Sequence, residues 1–326
     1  MNELRNIIMK DYSNTLGLVV YHGGEKTDEE YFGDFRADHS AHIFSATKSV
    51  VSLLFGIAQD RGLLSLKDKI PEYFPDYTPK RCQPQFNEVT IEHLMTMSAP
   101  FRFKYDPWKK VCTSSDWGLT ALEQIGGKSS AGERFHYTTI GIQILSDIFQ
   151  RATGESLNAF AERELFSPLG IAPVPDVPIT DKESQMRFSK TTELRGWARD
   201  PSGHYTTGWG LSLTAEDMAK IGLLVLNKGS FGGRQLVSQS YIDRMTSCRQ
   251  KNYGCLWWVY PKNEPLTIMR KTYSGSKADI FCAQGVGGTL TAVIPEADTV
   301  ISMICSMKYF PRPRFELIDR IISRYI

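Results

Sequence analysis

The stretch Phe44-Ser45-Ala46-Thr47-Lys48-Ser49-Val50-Val51-Ser52-Leu53-Leu54-Phe55-Gly56-Ile57-Ala58 decides how this chain is read. It is apolar on almost every face, the pattern of a buried helix. Ser45 and Lys48 stand three residues apart at its front, and residues i and i+3 share a helical face. The hydroxyl and the amine therefore meet one turn in. Burial disfavours an ammonium and lowers its pKa, which leaves an amine able to take the serine proton. The spacing also admits a plainer reading, with Ser45 as a helix cap and Lys48 as a solvated residue of the first turn. In either case the first-turn amides lack intrahelical partners and the dipole is positive there. The Ser45 N–H is thus placed to help hold an oxyanion.

On the N-terminal side, residues 1–11 read as a short helix. Leu16–His22 reads as a strand that ends at Gly23-Gly24, a hairpin signal. Glu29–Phe35 is its expected return strand. The Ser45 helix is expected to stop near Arg61-Gly62. Downstream, Thr90 caps a short helix, Ile91–Met97. Residues 101–118 form an aromatic-rich loop holding Tyr105 and Trp108, a length that in a compact domain points to function. Gly132–Thr139 leads into a helix over Ile140–Phe149, and another helix runs from Leu157 to Leu165. Residues 172–210 read as irregular. Thr214 caps a helix through Leu226, and Ser238 caps one from Gln239 to Met245. Leu256–Tyr260, Asp279–Ala283, Leu290–Ile294 and Val300–Ile304 read as strands, and a helix spans Arg314–Tyr325.

Strands at both ends and helices between them predict an α+β fold: an antiparallel sheet flanked by helices, with a mostly helical inserted subdomain. The expected organisation is one domain over 1–326. Its sheet subdomain is 1–60 and 246–326, and its helical insert is 61–245.

The bulk properties narrow the function. Of 326 residues, 41% are hydrophobic and 23% charged, and the formal net charge is +2, as in ordinary soluble globular proteins. No basic stripe occurs, so nucleic acid is not an expected partner. No run of about 18 apolar residues occurs, so no membrane span is expected. The six cysteines are scattered without a Cys-x-x-Cys pair, and Met1–Lys10 lacks the apolar core and small-residue cleavage site of a signal peptide. Free thiols and a cytoplasmic location are the expectation.

Other chemistries lack their motifs. There is no Gly-x-Ser-x-Gly elbow and no His-Glu-x-x-His, and His39 with His42 is too little for a zinc site. His136 reads as structural. Gly285-Val286-Gly287-Gly288 lacks the helix and lysine of a phosphate loop. A second Ser-x-x-Lys, Ser274–Lys277, lies in a polar glycine-containing turn and reads as a loop. No cofactor and no metal are expected.

Several segments, in order, resemble the serine β-lactamase and penicillin-binding-protein superfamily. The likeness is to class C β-lactamases and their esterase and 6-aminohexanoate-oligomer hydrolase relatives. They are Phe44–Lys48, Val89–Ser98, Gly132–Thr139, Phe166–Gly170, Gly208–Thr214 and Gln284–Gly288. The resemblance implies that Ser45 is the acylated nucleophile and Lys48 its proton acceptor. It implies that Tyr137 shares proton transfer and protonates the leaving group, as a phenol stabilised toward phenolate by the neighbouring ammonium and coupled to it. A buried core tyrosine is the bland alternative for Tyr137. Ser45 N–H and Val286 N–H would form the oxyanion hole, with Gly285 and Gly287 letting the strand approach the substrate. Thr139 and Gln284 would contact substrate, and Tyr105 and Trp108 would line the acyl pocket.

Two positions depart from the family pattern. Thr139 stands where Tyr-x-Asn is common, and Ala283-Gln284-Gly285 stands where Lys-Thr-Gly is usual. The missing lysine pairs with a substrate carboxylate, so the expected substrate is a small-molecule ester, amide or peptide-like compound. A true β-lactamase or D-alanyl-D-alanine carboxypeptidase, and a catalytically weak ligand-binding or sensor domain, are the alternatives. The oligomeric state is open.

Overall fold

The chain is seen in a computed structural model that describes residues 2–79, 83–190, 196–268, 271–273, 275–308 and 312–326. Ser274 and Cys82 lie outside the described residues. Six strands make the main antiparallel sheet: β1 Thr15–His22, β2 Glu25–Tyr31, β3 Trp258–Tyr260, β4 Ile280–Gln284, β5 Leu290–Ile294 and β6 Thr299–Cys305. Their spatial order is β2-β1-β6-β5-β4-β3. Val19 lies opposite Ser302, Ala292 opposite Ile301, and Cys282 opposite Ala292. Every strand of this sheet comes from one of the two ends of the chain, as the strand pattern predicts.

Four helices position the site: α1 Asn2–Asp11, α2 Thr47–Asp60, α3 Ala215–Leu226 and α4 Phe315–Ile322. The alternation of side chains along a strand sends residues to both faces of the sheet. Leu18 and Val20, with Ile301 and Met303, pack beneath α1 and α4 in one buried cluster. Val19, Val300 and Ile304 join the larger core on the opposite face, where α2 and α3 lie. Helix α2 is buried along nearly its whole length, from Thr47 to Ala58. Its buried hydroxyls are satisfied: Ser49 Oγ donates to Leu256 O (2.8 Å) and Ser52 Oγ to Cys255 O (2.7 Å). Truncating a core leucine such as Leu54 in this setting costs about 2–5 kcal/mol.

The polar caps stand as the sequence indicates. Thr214 Oγ1 accepts from Asp217 N (3.0 Å), and Ser238 Oγ accepts from Tyr241 N (3.2 Å). Three elements differ. Strand β2 begins at Glu25 rather than Glu29, because Gly23 and Gly24 both adopt positive φ (58° and 80°) and close the hairpin in two residues. Its run of charged residues hides it from an apolar pattern, and such charges suit an edge strand. Residues 101–118 contain a turn of helix, Trp108–Cys112, and the start of another, Trp117–Leu122. Residues 172–210 hold a helix, Lys182–Lys190, and a parallel pair, Asp176–Pro178 with Trp197–Arg199.

Candidate active site

Ser45 lies in a single tight turn, Phe44–Ala46, that runs straight into α2. Phe44 has φ 52°, a left-handed backbone that a phenylalanine adopts only when its surroundings impose it. The surroundings are visible. Ile43 N donates to Leu211 O (2.9 Å), Ala46 N to Ile43 O (3.2 Å), and Thr47 Oγ1 to Phe44 O (2.7 Å). No side chain caps this turn or α2, so Ser45 is not a cap. Nor is Lys48 solvated: it is 1% exposed. The plainer reading of the Ser45–Lys48 pair is thereby set aside.

Lys48 Nζ has three oxygen neighbours: Ser45 Oγ at 3.2 Å, Thr139 Oγ1 at 3.0 Å and Gly208 O at 2.7 Å. Burial pulls the amine down to about 7, and the charge of Asp106 works weakly against that. Gly208 O can only accept. A neutral amine therefore spends one N–H on Gly208 O, gives the other to Thr139, and keeps its lone pair for the Ser45 hydroxyl. The ammonium form donates to all three.

Tyr137 stands with its ring centroid 4.9 Å from Lys48 Nζ. Burial pushes its phenol up to about 12, and the Ser45 side chain pulls weakly the other way. This corrects the expectation of a phenolate-leaning tyrosine. Desolvation of the buried phenol is the largest influence, and it favours the protonated form. The Tyr137 ring stacks on Trp258 at 5.6 Å, in a wall that continues to Tyr253.

The turn after Tyr137 hangs on Asp106, a residue the sequence reading missed. Its carboxylate accepts from Thr139 N (2.8 Å), from Ile140 N (3.4 Å) and from the Thr138 hydroxyl. An aspartate inside an aromatic loop, between Tyr105 and Pro107, was the available signal. Gly208, which holds the amine, was read only as part of a family-like segment.

Facing Ser45, β4 ends at Gln284 and turns through Gly285–Gly288. Gly285 N donates to Thr289 O (2.7 Å), which shapes the turn. From beneath, Asn14 Nδ2 donates to Gly287 O (2.7 Å), and Arg314 Nη2 reaches the same oxygen (3.3 Å). A cavity of about 320 Å³ opens between the turn and Ser45, walled by Tyr137, Trp258, Gln284, Arg312, Arg314 and Phe315. Val286 lines it and is 44% exposed. Gly285 and Gly287 line it as well.

The structure thus brings Ser45, Lys48, Tyr137 and Thr139 together, with Gln284–Gly287 opposite. It does not bring Tyr105 or Trp108 to this cavity. Tyr105 is 77% exposed, and Trp108 lies edge-on against Trp209 at 6.1 Å. Their loop contributes Asp106 instead, because Asp106 turns inward to the 138–140 backbone. His136 packs edge-on against Phe103 at 5.3 Å.

The β-lactamase family profile matches residues 9–325. The chain belongs to the β-lactamase family. Among curated relatives in this family, an N-acetylmuramyl-L-alanine amidase of Bacillus subtilis is 22% identical over 285 residues, 77% of this chain and 64% of that protein. A 6-aminohexanoate-dimer hydrolase of Paenarthrobacter ureafaciens is 23% identical over 249 residues, 70% of this chain and 56% of that protein. The chain therefore spans under two thirds of the length of each. A penicillin-binding-protein homologue from Caulobacter crescentus superposes with a TM-score of 0.71 at 18% identity, over 100% of this chain and 96% of that one. These likenesses agree with an α+β fold of the β-lactamase and penicillin-binding-protein kind. Among the described residues, no helix is long and apolar enough to cross a membrane.

Proposed function

We propose that this chain is a serine hydrolase that cleaves a small ester, amide or peptide-like bond through an acyl-enzyme on Ser45. The observation that carries the reading is the buried Lys48 amine, held near neutrality 3.2 Å from Ser45 Oγ. In the first step neutral Lys48 takes the Ser45 proton while Oγ bonds to the substrate carbonyl carbon. The carbonyl oxygen takes up the negative charge, beneath Ser45 N–H and Val286 N–H. The intermediate then collapses, the bond to the leaving group breaks, and that group receives a proton through Tyr137, which Lys48 replenishes. Water reverses the sequence: Lys48 takes its proton, the hydroxyl attacks the acyl carbon, and Ser45 departs reprotonated. Tyr137 suits donation because its phenol keeps its proton well above neutral pH. Thr139 and Gln284 are the side chains that orient the substrate.

The names of the curated relatives, an amidase and an amide-oligomer hydrolase, support amide or peptide-like substrates. Five described cysteines, Cys112, Cys248, Cys255, Cys282 and Cys305, are free, which supports a reducing compartment such as the cytoplasm.

One observation favours a second reading, a substrate with a carboxylate, as in carboxypeptidase or β-lactam chemistry. Ala283 is fully buried and offers no charge. Arg312 and Arg314 nevertheless line the cavity, and among the described residues no acidic side chain does. Arg312 is paired with Asp11 and Glu316, whereas no carboxylate among the described residues pairs with Arg314. Turnover of p-nitrophenyl esters, short amides and nitrocefin by wild type and Ser45→Ala separates the readings. Ester or amide turnover lost in Ser45→Ala supports the first. Nitrocefin turnover well above the Ser45→Ala background supports the second. A stable adduct without turnover of any substrate contradicts both and leaves a ligand-binding domain.

A further inference from the structure

The cavity at Ser45 reaches both faces of the main sheet. Ala46 and Ala283 belong to the core on the α2 face, whereas Leu290, Phe315 and Ile318 belong to the core beneath α4. Ser45 and these three α4-side residues line one cavity, which therefore passes round the end of β4. An aromatic track follows it. Tyr137 stacks on Trp258 at 5.6 Å, Trp258 stacks on Tyr260 at 6.2 Å, and Tyr260 meets Phe315 edge-on at 4.9 Å. Trp258 packs against both cores, so it turns the corner at the edge strand β3. The polar side chains on the α4 side are already engaged. Thr289 Oγ1 accepts from Cys305 N (3.0 Å) and donates to Cys305 O (3.3 Å). Arg314 Nη2 donates to Asn14 Oδ1 (3.0 Å) and to Gly287 O (3.3 Å), and its Nε lies against Gly288. Arg312 pairs with Asp11 and Glu316. What remains for an occupant is apolar surface: Trp258, Leu290, Pro313, Phe315 and Ile318. A group seated there gains by leaving water rather than by hydrogen bonding.

We propose that the α4 end of this cavity takes an unbranched apolar arm of the substrate, the hydrocarbon part of an ester or amide, and that Phe315 and Ile318 set how long that arm can be. The arm is placed by the carbonyl that Ser45 attacks, so this rests on the acyl-enzyme reading of Ser45. The cavity measures about 320 Å³, and at about 30 Å³ per water-sized group it holds about ten heavy atoms. The reacting carbonyl and its neighbours take part of that volume, which leaves room for an arm of about six carbons. The same hydrocarbon can enter from the acyl side or from the alcohol or amine side of the scissile bond.

The test uses the full chain and two ester series. p-Nitrophenyl acetate, butyrate, hexanoate and decanoate vary the acyl arm, and methyl, butyl, hexyl and decyl acetate vary the alcohol arm. In one series kcat/KM should rise about threefold to fourfold per added CH2, up to about six carbons, and then level off. The series that rises identifies the side of the scissile bond that enters. Phe315→Trp grows into the cavity and should bring the plateau to shorter arms. Phe315→Ala should carry it to longer ones, with circular dichroism checking the fold; if it does not fold, Phe315→Trp decides. p-Nitrophenyl hydrogen adipate ends a hexanoate-length arm in a carboxylate and should react more slowly than the hexanoate. Rates flat in both series, a plateau unmoved in the folded Phe315 variants, or faster reaction of the adipate would overturn the proposal. Binding to Ser45→Ala separates this from the catalytic reading. The ester with the longer arm should raise its Tm more than the acetate does. If it does so while wild type turns nothing over, the arm site stands and the nucleophile reading falls. Turnover lost in Ser45→Ala but indifferent to arm length leaves the nucleophile and removes the arm site.

Discussion

Gly285 leaves no room for a side chain against Ile43: a Cβ built there would stand 2.3 Å from the Ile43 carbonyl oxygen. The end of β4 and the lead-in to the nucleophile are therefore in backbone contact, and under the proposed mechanism this contact sets where the Val286 amide meets the oxyanion. Gly285→Ala must push the two apart. We expect a fall of about 10²–10³ in kcat on a p-nitrophenyl ester, the loss typical of a displaced oxyanion donor. Circular dichroism checks that the fold survives. A folded Gly285→Ala with wild-type kcat would show that this contact does not set the oxyanion geometry.

The pH dependence follows from Lys48. Its amine must be neutral to accept a proton, and it titrates at about 7. The rate on a neutral substrate, measured as kcat/KM, should climb about tenfold per pH unit below 7 and level off above it. Tyr137 adds no descending limb before about 12. Asp106 raises the Lys48 pKa, so Asp106→Asn should move the acidic limb to lower pH. The same change loosens the 138–140 turn and should lower the plateau. An acidic limb that stays in place, or moves up, contradicts this electrostatic assignment.

Lys48 also carries a stability signature. Its pKa falls from an ordinary 10.5 to about 7 on folding. Between those values the unfolded chain binds more protons, so wild-type stability rises with pH through that window. Below about 7 both states are protonated and the full cost of the buried charge is present. Lys48→Met removes that cost. Its Tm relative to wild type should be more favourable at pH 6 than at pH 9, while activity is lost. Losing the hydrogen bonds to Thr139 and Gly208 offsets Tm at both pH values, and the change of the difference with pH is set by the folded and unfolded pKa values alone. A Tm difference independent of pH would refute the depressed pKa.

Tyr137→Phe separates donation from packing. The ring, its stack on Trp258 and its place over Lys48 are kept, and only the phenol is lost. If Tyr137 protonates the leaving group, turnover of an anilide should fall by about 10²–10⁴. Turnover of a p-nitrophenyl ester, whose leaving group needs no proton, should fall far less. Equal losses on both substrates would assign Tyr137 to packing alone.

Much of this was legible in the sequence because it depends on periodicity and local order. The buried α2 is a run of apolar residues, and the strands of residues 258–305 alternate between two covered faces. Ser45, Lys48 and Tyr137 lie in segments whose residue types are tied to the chemistry. What escaped depends on long-range contact. Strand β2 is charged because it is an edge, so its pattern resembles a loop. Asp106 and Asn14 act by accepting from or donating to backbone 33 and 273 positions away, and no spacing rule reaches that far. Tyr105 and Trp108 misled for the complementary reason: aromatic residues suggest a pocket wall, while the residue between them that turns inward is polar.

The central claim is that Ser45 is a nucleophile, and covalent labelling tests it most directly. A fluorophosphonate probe incubated with the folded chain at pH 8 should add its mass once, on the peptide that contains Ser45. The folded Ser45→Ala variant should remain unmodified. No labelling of well-folded wild type, or labelling that persists in Ser45→Ala, would contradict the account.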